Sequence, residues 1–245
     1  MHLVSENLDT SVTLLTSLAG VVTLSAACYG ARRTMKRKQV PALMAMTGFV
    51  FIAQMVNCSM GLGFSGHFLG AALLAILFGP CAAMLSMAAV LTGQAAFLGD
   101  GSMSTLGANF LNMGVVAPWA AHCVFRLLQG RRSVQLDAGQ LVATGVAAYV
   151  STLAAAGSLA LIAGSSATEL FGNFAVIGLF EVALSLVLFA LCAHSVRDTR
   201  PSALCGFALK PILCACLFAL CFAPFSSQLP DGLEQVLAGP VAVVK

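Results

Sequence analysis

The sequence predicts an all-α polytopic membrane bundle, and three observations carry that reading. Of 245 residues, 59% are hydrophobic and only 9% are charged, against about 25% charged in a typical soluble domain. Mean hydropathy is +0.95. The apolar residues gather into runs long enough to approach or reach a bilayer crossing, separated by short charged loops.

The N-terminal stretch MHLVSENLDT carries Glu6 and Asp9 but no Lys or Arg, so it lacks the positive start of a signal peptide. The expectation is therefore a chain mature as written. A bulky His2 disfavours trimming of the initiator Met, which keeps the α-amine beside His2.

Eight apolar segments follow, at residues 11–30, 40–58, 67–79, 81–98, 109–128, 138–163, 172–195 and 204–225. The third and fourth are divided only by Gly79-Pro80, where proline removes a donor and forces its predecessor out of helix. Charge decides whether that break is a turn. Arg32, Arg33, Lys36, Arg37 and Lys38 follow the first segment, Arg126, Arg131 and Arg132 the fifth, and Arg197 and Arg200 the seventh. A cytoplasmic turn at Gly79-Pro80 puts all three clusters on one side, as the positive-inside rule requires. Eight crossings with an extracytoplasmic N-terminus result, with residues 67–79 short for a full span. The outer loops then hold Glu6, Asp9, Asp100, Glu169, Asp231 and Glu234.

The nine cysteines are scattered, with no CxxC pair, and read as small packing residues in helices. No phosphate-cradling GxxxxGK[ST] loop, no HExxH and no nucleophile with a partner is present. An enzyme is not expected, nor is a nucleic-acid partner, and the chain has no means of hydrolysing ATP itself.

Met1-His2 carries chelate chemistry. The α-amine, the backbone nitrogen of His2 and its imidazole Nδ1 can close fused five- and six-membered rings on one divalent metal. The charge map places a second imidazole, His67, at the same outer end, within the glycine-rich stretch NCSMGLGFSGHFLG. A fourth nitrogen from His67 would complete a plane suited to Ni(II) or Cu(II), and imidazole also suits cobalt and zinc. Ser65 is expected to N-cap the helix that His67 enters. Gln94, Asn109 and Asn112 fall in the same outer layer, as supports for the ligands or as interhelical hydrogen-bond glue. Glu181 is the one carboxylate inside a span, read either as a structural or ligand-supporting acceptor or as part of a conduction path. His122 and His194 lie near the cytoplasmic ends of their segments and read as interfacial.

The stretches SGHFLGAALLAILFGP (65–80), VLTGQAAFLGDGSMSTLGAN (90–109), NMGVVAP (112–118) and VRDTRP (196–201), together with Met1-His2, resemble the metal-binding S component of NikM/CbiM type from energy-coupling-factor transporters for nickel or cobalt. The resemblance covers residues 1–201. It implies a seven-helix bundle with an extracytoplasmic N-terminus, metal held by Met1, His2 and His67, and partners comprising a transmembrane coupling subunit and ABC-type ATPases. Ni(II) or Co(II) would be transported substrate, with no catalytic cofactor. The chain departs from the family where Leu3 to Asn7 replaces its usual sequence after Met-His, and where Phe174 stands at a histidine position ahead of Ile177, Gly178 and Glu181. Residues 202–245 read as an additional transmembrane helix with a tail, SSQLPDGLE (226–234), that resembles the start of a small companion membrane subunit of nickel-type members. That tail favours nickel over cobalt. The rival readings are a self-sufficient secondary metal permease or channel, and a membrane metal sensor or scaffold.

Overall fold

The computed structural model describes residues 2–3, 8–60, 64–130, 132–197, 213–214, 217–218, 226–227, 229 and 231–238. It is a helical membrane bundle, as expected. Its elements are α1 (Thr10–Thr34), α2 (Val40–Gln54), a two-stranded hairpin of β1 (Cys58–Ser59) and β2 (Ser65–Gly66), α3 (Ala71–Phe78), α4 (Pro80–Gly93), α5 (Leu106–Asn109), α6 (Ala117–Gln129), α7 (Ala138–Ala163), α8 (Ala167–Arg197) and α9 (Gly232–Ala238). Among the described residues, five helical stretches are long and apolar enough to cross a membrane: Thr10–Thr34, Pro80–Leu98, Leu106–Gln129, Ala138–Ala163 and Ala167–Cys192. The expected eighth segment lies almost wholly outside the described residues.

The second and third expected segments take a different form. The helix of the third begins at Ala71 rather than at His67, and its eight residues rise only about 12 Å, far less than the ~30 Å hydrocarbon layer. Residues 64–70, β2 among them, run without helix and are all buried. Non-helical backbone at such depth is tolerated only inside protein and only with its polar groups satisfied. Here α8 meets this region through Ile177 and Glu181, and α4, α6, α7 and α8 pack against α3 itself.

Gly79-Pro80 breaks the chain as proline chemistry requires. Gly79 stands at φ +89°, outside the range of an ordinary L residue, and Pro80 opens α4 where its missing N–H costs nothing. Two π-helical stretches interrupt the long helices, at Gln94–Leu98 and Phe110–Val116. In the second, Ala117 N–H reaches back to Asn112 O. This wide turn comes just before Pro118, which has no donor of its own to return. The two stretches flank the loop from Gly99 to Thr105 and the short α5.

Candidate metal-binding site

The site forms where the N-terminus meets the irregular chain ahead of α3. Leu3 anchors it. This side chain is fully buried, and its peptide is held on both sides by Asn109: Leu3 N–H donates to Asn109 Oδ1 at 2.7 Å, and Asn109 Nδ2 donates to Leu3 O at 3.0 Å. Thr105 Oγ1 donates to the same carbonyl at 2.6 Å. The asparagine amide thus pairs with Leu3 as a neighbouring strand would, and it fixes the position of His2.

His2 is buried at 6% exposure and His67 at 2%. Their rings stack with centroids 5.5 Å apart and planes 14° from parallel. His67 Nδ1 lies 3.2 Å from Phe68 O. A carbonyl can only accept, so Nδ1 carries the proton and Nε2 presents a lone pair. His2 Nδ1 lies 3.0 Å from Asp100 Oδ1, which by the same logic leaves the Nε2 lone pair of the neutral ring free. Both Nε2 atoms are buried and have no hydrogen-bond partner. Two uncompensated imidazole nitrogens in one buried place are costly unless something binds them.

The six-membered chelate ring through His2 Nδ1 is not pre-formed, because Asp100 engages that atom, and ligation through it requires the ring to swing off the carboxylate. Sequence reasoning placed Asp100 only on the outer rim. Its signal was the Gly99-Asp100-Gly101 turn, in which both glycines take positive φ, +69° and +79°. A Cβ on Gly101 would sit 3.2 Å from Asn109 Nδ2 and 3.4 Å from His2 Cβ, so glycine here lets the turn close on the N-terminus. Burial lowers the His2 pKa below the usual imidazole value, favouring the neutral, ligand-competent ring. Burial opposes ionisation of Asp100 as well, but the hydrogen bond from His2 outweighs it and holds the carboxyl low, at about 2.

The other expected residues divide. Met1 lies outside the described residues. Gln94 is fully buried and contributes to the surroundings of His2, with its Nε2 donating to Met55 Sδ at 3.9 Å. Asn112 does not join Asn109: its Oδ1 accepts from Ser158 Oγ of α7. Ser65 is not an N-cap. It lies in β2, its hydroxyl donates to Leu229 O at 2.8 Å, and the N-cap of α3 is Gly70 at φ +74°.

Glu181 supports the His67 segment directly. Its Oε2 accepts Leu69 N–H at 2.7 Å and its Oε1 accepts Gly70 N–H at 2.9 Å. From the opposite side Gln54 Nε2, absent from the sequence-based candidates, donates to Leu69 O at 2.7 Å. The peptide two residues beyond His67 is therefore fixed by side chains from α2 and α8. Gly66 completes the fit, since a Cβ there would lie 2.7 Å from Ile177 Cγ1. Phe174, at the position of the expected histidine, is fully buried apolar packing. Among the described residues no group of three or more His, Cys, Asp and Glu side chains can hold a metal.

Residues 2–196 match the family model of the cobalt uptake substrate-specific transmembrane region, CbiM. A protein of Haloquadratum walsbyi, provisionally named as a metal transport protein, is 31% identical over 204 residues, which are 81% of this chain and 92% of that protein. The fused nickel transport protein NikMN of Rhodobacter capsulatus is 34% identical over 125 residues, 51% of this chain and 35% of that protein. The aligned stretch thus spans nearly all of the first relative and about a third of the second. The crystal structure of a transition metal transporter superposes with a TM-score of 0.69 at 26% identity, covering 81% of this chain and 95% of that one.

Proposed function

The chain belongs to the CbiM family of metal-uptake membrane proteins, and from that premise we propose that it is the substrate-capture subunit of an ATP-driven energy-coupling-factor importer, taking nickel in preference to cobalt. The observation that carries the proposal is the buried pair of stacked imidazoles whose Nε2 atoms lack partners. In this reading the His2 ring swings off Asp100 so that its Nδ1 joins the Met1 amine, the backbone nitrogen of His2 and the His67 imidazole, and a four-nitrogen set of this kind suits square-planar Ni(II). Neutral, buried imidazoles match what such a metal needs.

The N-terminus and the site face outward, a placement supported by the three basic clusters at the opposite ends of the helices. Energy comes from partner ATPases through a transmembrane coupling subunit, since the chain has no nucleotide-binding motif. We take residues 1–201 as the metal-binding domain and 202–245 as an added membrane helix with its PDGLE tail, on the apolar run 204–225 and the SSQLPDGLE stretch of the sequence.

A self-sufficient permease would need a proton or ion relay within the membrane. Glu181 was its candidate, and both of its oxygens are committed to backbone N–H groups. The deciding experiment pairs binding with uptake. Purified chain is expected to bind Ni(II) in calorimetric titration and His67→Ala to lose that binding, while vesicles holding this chain alone accumulate no nickel. Uptake by the lone chain would overturn the partner-driven reading.

A further inference from the structure

The C-terminal segment docks on the hairpin that carries His67. Ser226 pairs antiparallel with Cys58 of β1, and Asp231 bridges Ser65 of β2. Ser227 N–H donates to Asn57 O at 2.8 Å and Ser65 Oγ donates to Leu229 O at 2.8 Å. The PDGLE sequence has a physical reason at this place. Asp231 Oδ1 accepts the N–H groups of Leu233 and Glu234 at 2.8 and 2.9 Å, and Glu234 Oε2 accepts Asp231 N–H at 2.9 Å. These reciprocal bonds form a capping box that starts α9. Leu233 is fully buried, and Gln235 Oε1 accepts Asn173 Nδ2 of α8 at 3.0 Å.

Asn173, Ile177 and Glu181 are spaced by four along α8 and so share one stripe. In order they meet α9, Gly66, and the Leu69-Gly70 peptides. The tail therefore closes the outer end of the same row of contacts that fixes His67, and it grips β2 two residues from that ligand.

We propose that the segment 226–238 is an intramolecular strap on the His67 hairpin, and that its docking sets how fast bound metal leaves. The inference rests on the His2–His67 reading of the site. Docked, the strap holds β2 and with it His67 in the ligating position. Undocked, β2 loses a hydrogen-bonded neighbour, and the His67 segment opens more often. A bound ion then escapes faster, an effect that falls chiefly on the dissociation rate.

The test locks the strap. Ser226 is exposed and faces the native free Cys58 across an antiparallel bridge, so Ser226→Cys can be closed with diamide as a disulfide in the full chain in nanodiscs. Ni(II) release is then followed by chelator chase before and after oxidation. Oxidation should produce a cross-link that Cys58→Ser abolishes, and it should slow nickel release about tenfold, with reduction restoring the rate. Leu233→Asp, which frees the strap, should speed release by a similar factor. Cross-linking with an unchanged release rate would overturn the strap alone, and absence of a cross-link would overturn its docking. A chain that binds no nickel in either state would overturn the site reading and the strap with it.

Discussion

Single side chains fix the His2 and His67 segments through their peptides. Asn109 is the clearest case, because it alone satisfies Leu3 N–H and shares Leu3 O with Thr105. Asn109→Ala leaves a buried N–H orphaned, a cost of about 1–3 kcal/mol, and by loosening His2 it should weaken nickel binding about 10–100-fold, measured by calorimetric titration. The helix itself should survive. Glu181→Gln is a sharper change than its size implies. Leu69 and Gly70 both present N–H groups to the carboxylate, and an amide offers them one oxygen and one NH₂, so two donors face each other. Thermal unfolding of the metal-free chain should show a loss of about 1–3 kcal/mol, and affinity for nickel should fall alongside it.

These residues were unequally legible. Asn109 and Glu181 stood out because polar groups in apolar helices are expensive enough to demand a purpose. Asp100 was visible only as an outer acidic residue, since nothing in Gly99-Asp100-Gly101 reveals that the turn closes on a residue almost a hundred positions earlier. Gln54 was hidden by its apolar neighbours. Asn112 was paired with Asn109 on the strength of their spacing, and the π-helical stretch from Phe110 to Val116 is a region where α-helical spacing no longer assigns a face.

At the scale of elements, close packing places the loop that holds the N-terminus. Gly107 of α5 meets α1 so tightly that an added Cβ would lie 2.4 Å from Ser17 Cα and 2.6 Å from Ser17 N. Backbone cannot yield as a side-chain tip does. Gly107→Ala should therefore push α1 away from α5 and destabilise the bundle by about 1–3 kcal/mol, read as a lower midpoint in thermal unfolding. Because Asn109 is two residues further along α5, metal affinity should drop as well. The long helices were legible from their apolar length and their charged borders. The helix preceding the Gly79-Pro80 break was legible as short, but its start was not. Residues 64–70 look apolar enough for helix, and only the tertiary acceptors and donors of Glu181, Gln54 and the hairpin make irregular backbone the better solution there.

At the scale of the molecule, α8, packed along α7, supports a site built from two segments distant in sequence. Composition and charge made the membrane class legible, and the motif stretches pointed to the family that the comparison with known proteins then identified. What neither could reveal was that His2 and Leu3 are buried, with the Leu3 peptide held by Asn109 and Thr105 beside the stacked His2 and His67 rings.

The central claim is that the metal is held by main-chain nitrogen of the N-terminus together with His2 and His67. The visible absorption spectrum of nickel-loaded chain tests it, compared with the same chain carrying one extra residue ahead of Met1. The native chain should show the yellow colour of diamagnetic square-planar Ni(II), and the extended chain should lose it along with high-affinity binding. An unchanged spectrum and affinity after the extension would contradict the claim.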